Sequence, residues 1–345
     1  MPENPSLSSR VRGSFVGLAV CDALGGPVEF KKRGEFPKVT TMLPNESCGI
    51  GPGYFTDDTS MALCLAHSLV DCHGRSNLVD QVRRYIDWWK KGYMSSTGTS
   101  FGIGVSTAST LEQWSSELEA RYNQLQADSM EAQEAVRAIQ KNIRDAFLEE
   151  KFCGNGSLMR VLPAALVARS EPEAVELARE SSLPTHPHLR CVHACMIYAS
   201  LVYQALNGAT KSELAVSLGE TMNDASGNIS DYPLEPALKQ RLERYRTLGD
   251  WEATASEDIR STGYVVDSLE ASLWSFFKTD GFEDGAILAV NLGDDADTVG
   301  AIYGGLAGAF YGVDAIPDRW RQDLQRMDLV DEAVEKILAF RTHTV

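Results

Sequence analysis

The sequence has few of the alternating polar and apolar residues that mark β-strands. Apolar residues instead recur at three- and four-residue spacing, with clear stripes at 132–147, 190–206 and 265–277, which predicts helices. No repeat of fixed period occurs, so a solenoid or propeller is not supported. We therefore expect an all-α fold forming a single compact domain over residues 1–345, with the more polar segment 208–260 as a peripheral insertion.

Common nucleotide-binding motifs are also missing. The chain contains neither G-x-G-x-x-G nor G-x-x-x-x-G-K-[ST], which removes the usual dinucleotide and P-loop interpretations. Acidic residues outnumber basic ones by 48 to 32, for a formal net charge of −16. Because a polyanion would be repelled, we expect no nucleic acid as a primary ligand. A small anion is compatible with this charge, since helix N-termini and bound cations attract it locally.

Features of secretion, disulfide bonding and membrane insertion are lacking as well. The seven cysteines form an odd set without a C-x-x-C pair, and no basic segment followed by an apolar one opens the chain. The most apolar stretch, 285–312, is interrupted by three aspartates, which argues against a membrane span. The histidine and cysteine spacing in 186–195 matches no standard zinc pattern. We expect a soluble, cytoplasmic monomer that acts away from membranes.

Two acidic clusters, Thr-Asp-Asp-Thr at 56–59 and Asp-Asp-Ala-Asp-Thr at 294–298, each precede an apolar helical stretch. A helix cap needs one acceptor, so consecutive acids exceed what capping requires. Carboxylate and hydroxyl oxygens are the ligands of hard divalent cations, which also offset the repulsion between neighbouring acids. If the fold brings the clusters together, they can hold two cations about 3.5–4 Å apart, as in dinuclear hydrolytic sites. The alternative is two solvated helix caps.

Five motifs in order resemble the ADP-ribosylglycohydrolase family, which includes dinitrogenase-reductase-activating glycohydrolases and the ADP-ribosylarginine and ADP-ribosylserine hydrolases. They are GLAVCDALGGPVEF (17–30), FTDDT (55–59), GNGSLMR (154–160), GYVV (263–266) and GDDADT (293–298), and the resemblance extends over about residues 10–312. It implies an all-helical orthogonal domain with two Mg²⁺ or Mn²⁺ ions in a cleft. It also implies an ADP-ribosylated protein or an ADP-ribose derivative as the substrate.

The resemblance assigns oxygen ligands for both ions, and by position these are Thr56, Asp57, Asp58, Asp295, Asp297 and Thr298. It also assigns three catalytic carboxylates. Glu29 would position the ribose or assist the leaving group, while Asp295 or Asp297 would help to deprotonate the attacking water. The ions would orient the ribose, lower the pKa of a water and offset charge on the departing group.

Substrate contacts are expected from a further set: Asp22, Gly102, Gly104, Phe152, Gly154, Asn155, Gly156, Ser157, His186 and Tyr264. The loop 154–157 resembles the one that wraps the distal ribose and diphosphate, where backbone donors suit anionic oxygens. The segment 102–106, Gly-Ile-Gly-Val-Ser, is the best local candidate for the family's glycine-rich phosphate loop, and Phe152 and Tyr264 would lie near the adenosine. His186, in a proline-bounded loop, can stack on or hydrogen-bond to a ligand.

Two residues depart from the family pattern without removing a predicted ligand: Cys21 replaces a common glycine, and Asp294 adds an acid where many members have glycine. The expected reaction is hydrolysis of the glycosidic bond between the distal ribose of ADP-ribose and an acceptor side chain, arginine being the preferred acceptor. Alternatives are an ADP-ribose-binding or structural relative without turnover, and a hydrolase of O-acetyl-ADP-ribose or ADP-ribosylserine. A metal phosphohydrolase that cuts the diphosphate is a further alternative.

Overall fold

Helices make up about 66% of the structure, a computed structural model that describes residues 4–126, 129–223, 228–229 and 232–342. The α-helices of this part are α1 Leu7–Gly25, α2 Asp57–Asp71, α3 Leu78–Lys91, α4 Val105–Arg121, α5 Met130–Ala146, α6 Leu162–Val167, α7 Glu171–Ser182, α8 Leu189–Leu206, α9 Lys211–Asn223, α10 Pro236–Leu242, α11 Leu248–Ala253, α12 Val265–Lys278, α13 Phe282–Val290, α14 Ala296–Tyr311, α15 Asp318–Asp323 and α16 Met327–Thr342. An antiparallel pair of two-residue strands, β1 Asn228–Ile229 and β2 Tyr232–Pro233, adds little. The all-α prediction is confirmed, and the three predicted stripes fall in α5, α8 and α12.

The centre of the fold is an antiparallel contact between α1 and α14. Glycines recur every four residues on both helices, so the two backbones touch directly. A Cβ on Gly304 would lie 2.1 Å from the carbonyl oxygen of Gly17, and one on Gly308 would lie 2.0 Å from that of Gly13. Because the helices run in opposite directions, the C-terminal end of α1 meets the N-terminal end of α14. Both ends carry predicted site residues.

The remaining helices surround this pair as one domain. α8 is long and apolar enough to cross a membrane by composition, and 78% of its 18-residue window is buried inside the protein. The segment 208–260 adds Leu214, Leu238 and Trp251, all 0% exposed, to the same main core. That this segment is an insertion stays a prediction. A smaller apolar cluster, including Trp114 and residues of α3 and α5, packs beneath α4.

Cys21 lies in the seam between α1 and α14 and is 0% exposed. A Cβ on Gly300 would lie 2.7 Å from the Cys21 carbonyl oxygen, and one on Gly304 would lie 2.9 Å from the Cys21 sulfur. The departure from the family pattern at this position therefore concerns helix packing, and the thiol fills space that glycines leave open.

Replacing Gly304 with alanine should destabilise the protein by about 1–3 kcal/mol, because the new methyl group would meet backbone that must shift. Gly249→Ala is the matched control, since a Cβ there has only an ordinary contact, 3.7 Å from the Thr247 hydroxyl. That control should be neutral or stabilise by up to about 1 kcal/mol. Chemical denaturation followed by circular dichroism measures both, and equal stability of the two variants would contradict the described contact.

Candidate functional site

Asp22, at the C-terminal end of α1, takes over the capping of α2. Its carboxylate accepts hydrogen bonds from the backbone N–H groups of Thr56 (2.9 Å) and Thr59 (3.0 Å). It also accepts the Thr59 hydroxyl at 2.6 Å. The N-cap residue Thr56 makes no capping hydrogen bond of its own. A carboxylate from another helix therefore satisfies the start of α2 and leaves Asp57 and Asp58 free for other partners.

Asp57 and Asp58 are buried, with 6% and 1% of their surface exposed. Asp58 Oδ2 lies 3.1 Å from the Thr56 hydroxyl oxygen, which is also 2.8 Å from Asp22 Oδ1. The single hydroxyl proton can serve only one of these carboxylates at a time. Asp58 Oδ1 is buried without any hydrogen-bond partner. A buried charged acceptor left in this way is strongly destabilising unless a cation binds it.

The second cluster lies at the start of α14. Asp295 occupies the N-cap position of this helix but makes no capping hydrogen bond. Its Oδ2 instead accepts the side-chain N–H of Asn155 at 2.6 Å. Asp297, the second residue of the helix, is 2% exposed, and its Oδ1 accepts the backbone N–H of Thr298 at 2.9 Å. Burial and the missing caps exclude the alternative of two solvated helix caps.

The two clusters meet, and Asp297 is shared between two groups of carboxylates. In one group, an oxygen of Asp297 lies within 4.8 Å of oxygens of Asp22 and Asp58. In the other group, oxygens of Asp297, Glu29 and Asp295 also lie within 4.8 Å of one another. Among the residues that the structure describes, these are the groups of acidic, histidine or cysteine side chains close enough to hold a metal ion. The histidines and cysteines of 186–195 form no such group.

The cost of gathering these charges appears in their pKa values. Burial, the largest cause, raises the pKa of Asp22 to about 6, and hydrogen bonds from Thr56 and Thr59 counter part of that rise. Burial and the neighbouring Asp22 charge raise the pKa of Asp57 to about 7. Burial and the Asp295 charge raise the pKa of Glu29 to about 8. These carboxylates therefore resist ionisation together without a compensating cation.

Asp58 and Asp297 show the same effect more strongly. Burial raises the pKa of both groups well above the ordinary value, with further contributions from Asp22 to Asp58 and from Glu29 to Asp297. A divalent cation reverses this preference because its charge stabilises the ionised form. The orphaned Asp58 oxygen, the shared Asp297 and the all-oxygen donor set all fit a hard divalent metal. The acidic groups can therefore bind metal.

A cavity of about 250 Å³ opens above these carboxylates. Its lining contains most of the predicted site residues, namely Glu29, Asp57, Asp58, Gly102, Gly104, Gly154, Asn155, Gly156, His186, Asp295, Asp297 and Thr298. Gly102 and Gly104 of the predicted phosphate loop line the cavity, and Gly102 takes a left-handed φ of 81° next to Asp57. Val105 and Ser106, from the same predicted loop, also line the cavity. The lining further includes residues for which the sequence predicted no role: Phe30, Thr107, Met159 and Gly263.

The loop that contains Gly154 is fixed in place by backbone pairing with residues 263–264. Asn155 N–H donates to the Gly263 carbonyl at 3.1 Å, and Gly154 forms an isolated bridge with Tyr264. Gly156 lies against His186, where a Cβ would come within 2.8 Å of ring carbon Cε1. Only glycine fits this position without displacing the ring, so the loop leaves the histidine facing the cavity.

His186 is a neutral hydrogen-bond donor, and the position of its ring proton depends on contacts with Thr185 and Arg160. The guanidinium of Arg160 donates to the Thr185 hydroxyl oxygen at 2.6 Å. Thr185 Oγ1 lies 2.8 Å from His186 Nδ1, and since this oxygen already accepts from Arg160, we assign its proton to Nδ1 and the ring proton to Nε2. Burial and the Arg160 charge lower the pKa of His186 to about 3. Arg160 is the last residue of the GNGSLMR motif, but only the folded structure shows its contact with Thr185.

Four predicted substrate residues, Asp22, Phe152, Ser157 and Tyr264, lie outside the cavity lining. Phe152 packs edge-on against Phe147, with ring centroids 5.0 Å apart. Ser157 is buried behind the loop, where its oxygen accepts the hydroxyl of Ser182 at 2.8 Å. Tyr264 lies next to lining residue Gly263. Thr56 is outside the lining as well. Asp22 and Thr56 have 0% and 2% of their surface exposed, and the Thr56 hydroxyl donates to the Asp22 carboxylate of the first acidic group.

Asp294, the additional acid of the second cluster, has a structural rather than ligand-like position. Its φ of 53° is left-handed, a conformation that aspartate tolerates better than most residues. Its carbonyl oxygen accepts the Phe30 N–H at 2.6 Å, and its own N–H donates to the Lys31 carbonyl at 2.8 Å. This acid lies in neither carboxylate group.

The helical fold thus gathers carboxylates from three separate segments beneath one cavity, an arrangement that can bind a divalent cation. A profile of the ADP-ribosylglycohydrolase family matches residues 3–344. The ADP-ribosylarginine hydrolase Tri1 of Pseudomonas putida (strain GB-1) is 33% identical over 315 residues, which cover 90% of this chain and 73% of that protein. The ADP-ribosyl-[dinitrogen reductase] glycohydrolase of Rhodospirillum rubrum is 29% identical over 330 residues, or 94% of this chain and 92% of that protein.

A solved structure supports the same assignment. An ADP-ribosylglycohydrolase-related protein complex superposes with a TM-score of 0.75 at 34% identity and covers 99% of both chains. The chain belongs to the ADP-ribosylglycohydrolase family, and the resemblance drawn from its five motifs is confirmed. It is therefore an enzyme, a hydrolase of this family.

The metal-free protein should lose thermal stability as the pH rises from about 4 to about 8. Asp22, Asp57 and Glu29 have folded pKa values of about 6, 7 and 8, above the ordinary values of 3.8, 3.8 and 4.5. A raised folded pKa stabilises the fold at low pH, and that stabilisation is lost as the pH passes through the folded value. Thermal unfolding in excess EDTA across this range measures the loss. Magnesium should flatten the curve, and an identical pH dependence with and without magnesium would contradict cation binding here.

Proposed function

We propose that this protein hydrolyses the glycosidic bond between the distal ribose of ADP-ribose and an arginine side chain, releasing ADP-ribose. The observation that carries the proposal is Asp297, which joins two carboxylate groups beneath a cavity that also presents the neutral donor His186. The relatives at 33% and 29% identity are named for removing ADP-ribose from arginine and from dinitrogen reductase. Their names support this substrate class.

Two Mg²⁺ or Mn²⁺ ions suit the donor set. The residues that would hold them are Thr56, Asp57, Asp58, Asp295, Asp297 and Thr298, with Asp297 common to both carboxylate groups. When bound, such ions orient the ribose hydroxyls, lower the pKa of a water and offset negative charge. Asp22 is itself a member of the first group, and its carboxylate also fixes the position of Thr56.

Proton transfer falls to the carboxylates that line the cavity. Water supplies the oxygen that bonds to the anomeric carbon, and Asp295 or Asp297 accepts its proton. The bond from that carbon to the acceptor nitrogen breaks, and Glu29 is placed to protonate the departing nitrogen or to position the ribose. Asn155 holds Asp295 in place through the 2.6 Å hydrogen bond to its Oδ2.

The diphosphate and distal ribose are best accommodated at the glycine-rich wall. Gly154 and Gly156 expose backbone there, and His186 Nε2–H faces the same cavity as a neutral donor. Because the pKa of His186 is lowered to about 3, the imidazole is neutral near pH 7 and offers one N–H without carrying charge. Backbone and imidazole N–H groups are suited to anionic phosphate oxygens.

A reducing cytoplasm is the compartment we propose. The seven cysteines are all free, and five of them are buried. Secreted proteins generally pair their cysteines in disulfides, whereas cytosolic thiols remain reduced. Buried thiols of this kind behave as small apolar side chains.

Asp58→Asn and Asp297→Asn should each lower turnover by about 100-fold or more, since the loss of even supporting partners of metal ligands costs about 10- to 100-fold. Helical circular dichroism should be retained, because asparagine keeps the shape of the side chain. Asp294→Asn is the matched control, since it lies beside the groups but in neither of them. The measurement is release of ADP-ribose in magnesium. Full activity of either ligand variant would refute the metal assignment.

The acceptor can be determined with a panel of peptides that are mono-ADP-ribosylated on arginine or serine but otherwise identical. We expect release of ADP-ribose to be at least about tenfold faster from arginine, with magnesium or manganese required and EDTA abolishing turnover. Mass spectrometry distinguishes ADP-ribose from the AMP and ribose phosphate that a phosphohydrolase would produce. Tight binding of ADP-ribose without any release would instead indicate a binding protein, and EDTA-insensitive cleavage would contradict the scheme.

A further inference from the structure

Two exposed apolar side chains stand at the mouth of the acidic cavity. Phe30 is 81% exposed and Val105 is 84% exposed, and both belong to the cavity lining. They are the most exposed large apolar side chains in the part of the chain that the structure describes, the next being Met130 at 66%. Single exposed apolar residues are common, but two at the entrance of one site indicate contact with a ligand.

Phe30 is held in an unfavourable backbone conformation. Its φ of 63° is left-handed, which costs a bulky residue about 1–3 kcal/mol. Hydrogen bonds from Phe30 N–H to the Asp294 carbonyl (2.6 Å) and from Asp294 N–H to the Lys31 carbonyl (2.8 Å) maintain it. Since the ring is mostly exposed, core packing gains little from this arrangement. The backbone bonds survive replacement of the side chain, so the ring can be altered without releasing the turn.

Both mouth residues are close in the chain to residues of the reactive centre. Phe30 directly follows Glu29, which shares a carboxylate group with Asp295 and Asp297. Val105 opens α4 shortly after Gly102, where a Cβ would lie only 2.5 Å from Asp57 Oδ1. The mouth therefore lies beside the place where the glycosidic bond is cut.

The cavity is too small to enclose the whole substrate. Its volume of about 250 Å³ lies below the range of about 300–1,000 Å³ typical of pockets that bury a drug-sized ligand. An acceptor that belongs to a protein must in any case leave the cavity through its mouth. The acceptor side chain thus passes the exposed apolar pair.

We infer that Phe30 and Val105 bind the acceptor arginine, with the Phe30 ring facing the guanidinium group and Val105 contacting the alkyl stem. This inference rests on the proposed function and adds the residues that select its acceptor. Arginine suits such a mouth because its planar cation stacks on aromatic faces while its methylene groups pack on apolar surface. The acidic chain, with a formal charge of −16, also favours a cationic acceptor over an anionic one.

The test compares Phe30→Leu, which keeps the apolar bulk but loses the aromatic face, with Phe30→Tyr, which keeps that face. With a peptide ADP-ribosylated on arginine and magnesium present, Phe30→Leu should raise KM about threefold to tenfold with kcat within about twofold. Phe30→Tyr should restore KM. With the matching serine-linked peptide, whose acceptor is uncharged, Phe30→Leu should change KM by less than about twofold.

Val105→Ala should raise KM for the arginine peptide by about twofold to fivefold, because the alkyl stem loses apolar contact. Val216→Ala is its control, a valine 40% exposed on α9 outside the cavity lining. Calorimetric titration with free ADP-ribose separates the roles, since this product has no acceptor and every Phe30 and Val105 variant should bind it with an unchanged Kd.

Two results would overturn the inference while leaving the proposed function intact. One is an unchanged KM of Phe30→Leu for the arginine peptide that wild-type protein cleaves. The other is an equal loss of affinity for free ADP-ribose, which would place the ring on the nucleotide side. A wild-type protein that releases no ADP-ribose from the arginine peptide would overturn the proposed function itself, whether or not it cleaves the serine peptide.

Discussion

The close contact between α1 and α14 is the constraint on which the rest of the molecule depends. Backbone meets backbone at Gly17 and Gly304, so no side chain separates the helices there and their relative register is well defined. This register places Asp22, near the end of α1, beside Asp297, near the beginning of α14. The structural glycines and the functional carboxylates therefore belong to one arrangement, although the glycines never reach the cavity floor.

Charge is distributed within the cleft according to what each part must bind. Carboxylates are concentrated on the floor of the cavity, and burial raises their pKa values, those of Asp58 and Asp297 well above the ordinary value. Bound cations would stabilise the ionised carboxylates. The wall presents His186, whose pKa burial lowers to about 3, so it donates a hydrogen bond without carrying charge. Burial thus acts in opposite directions on acid and imidazole, and both outcomes favour a ligand that combines hydroxyls and anionic oxygens with a bound metal.

Much of the fold and of the candidate site could be predicted from the sequence, because the relevant signals are local. Stripes at three- and four-residue spacing mark α5, α8 and α12, since helical periodicity is set within a few turns. The composition of the clusters at 56–59 and 294–298 predicts oxygen ligands, because each contains more acidic residues than a helix cap needs. Family membership followed from five ordered motifs and did not require the distances between them.

Tertiary structure alone decided which of these residues meet and what each one faces. Asp22 caps a helix that starts far away in the chain, and the tautomer of His186 depends on Arg160 through Thr185, contacts that no local pattern encodes. Phe152, by contrast, is close to a site motif in the chain but packs against Phe147 and does not line the cavity. The sequence by itself determined helix content, ligand chemistry and family. The geometry of the cleft came from packing, because side-chain direction and burial depend on neighbours brought together only by the completed fold.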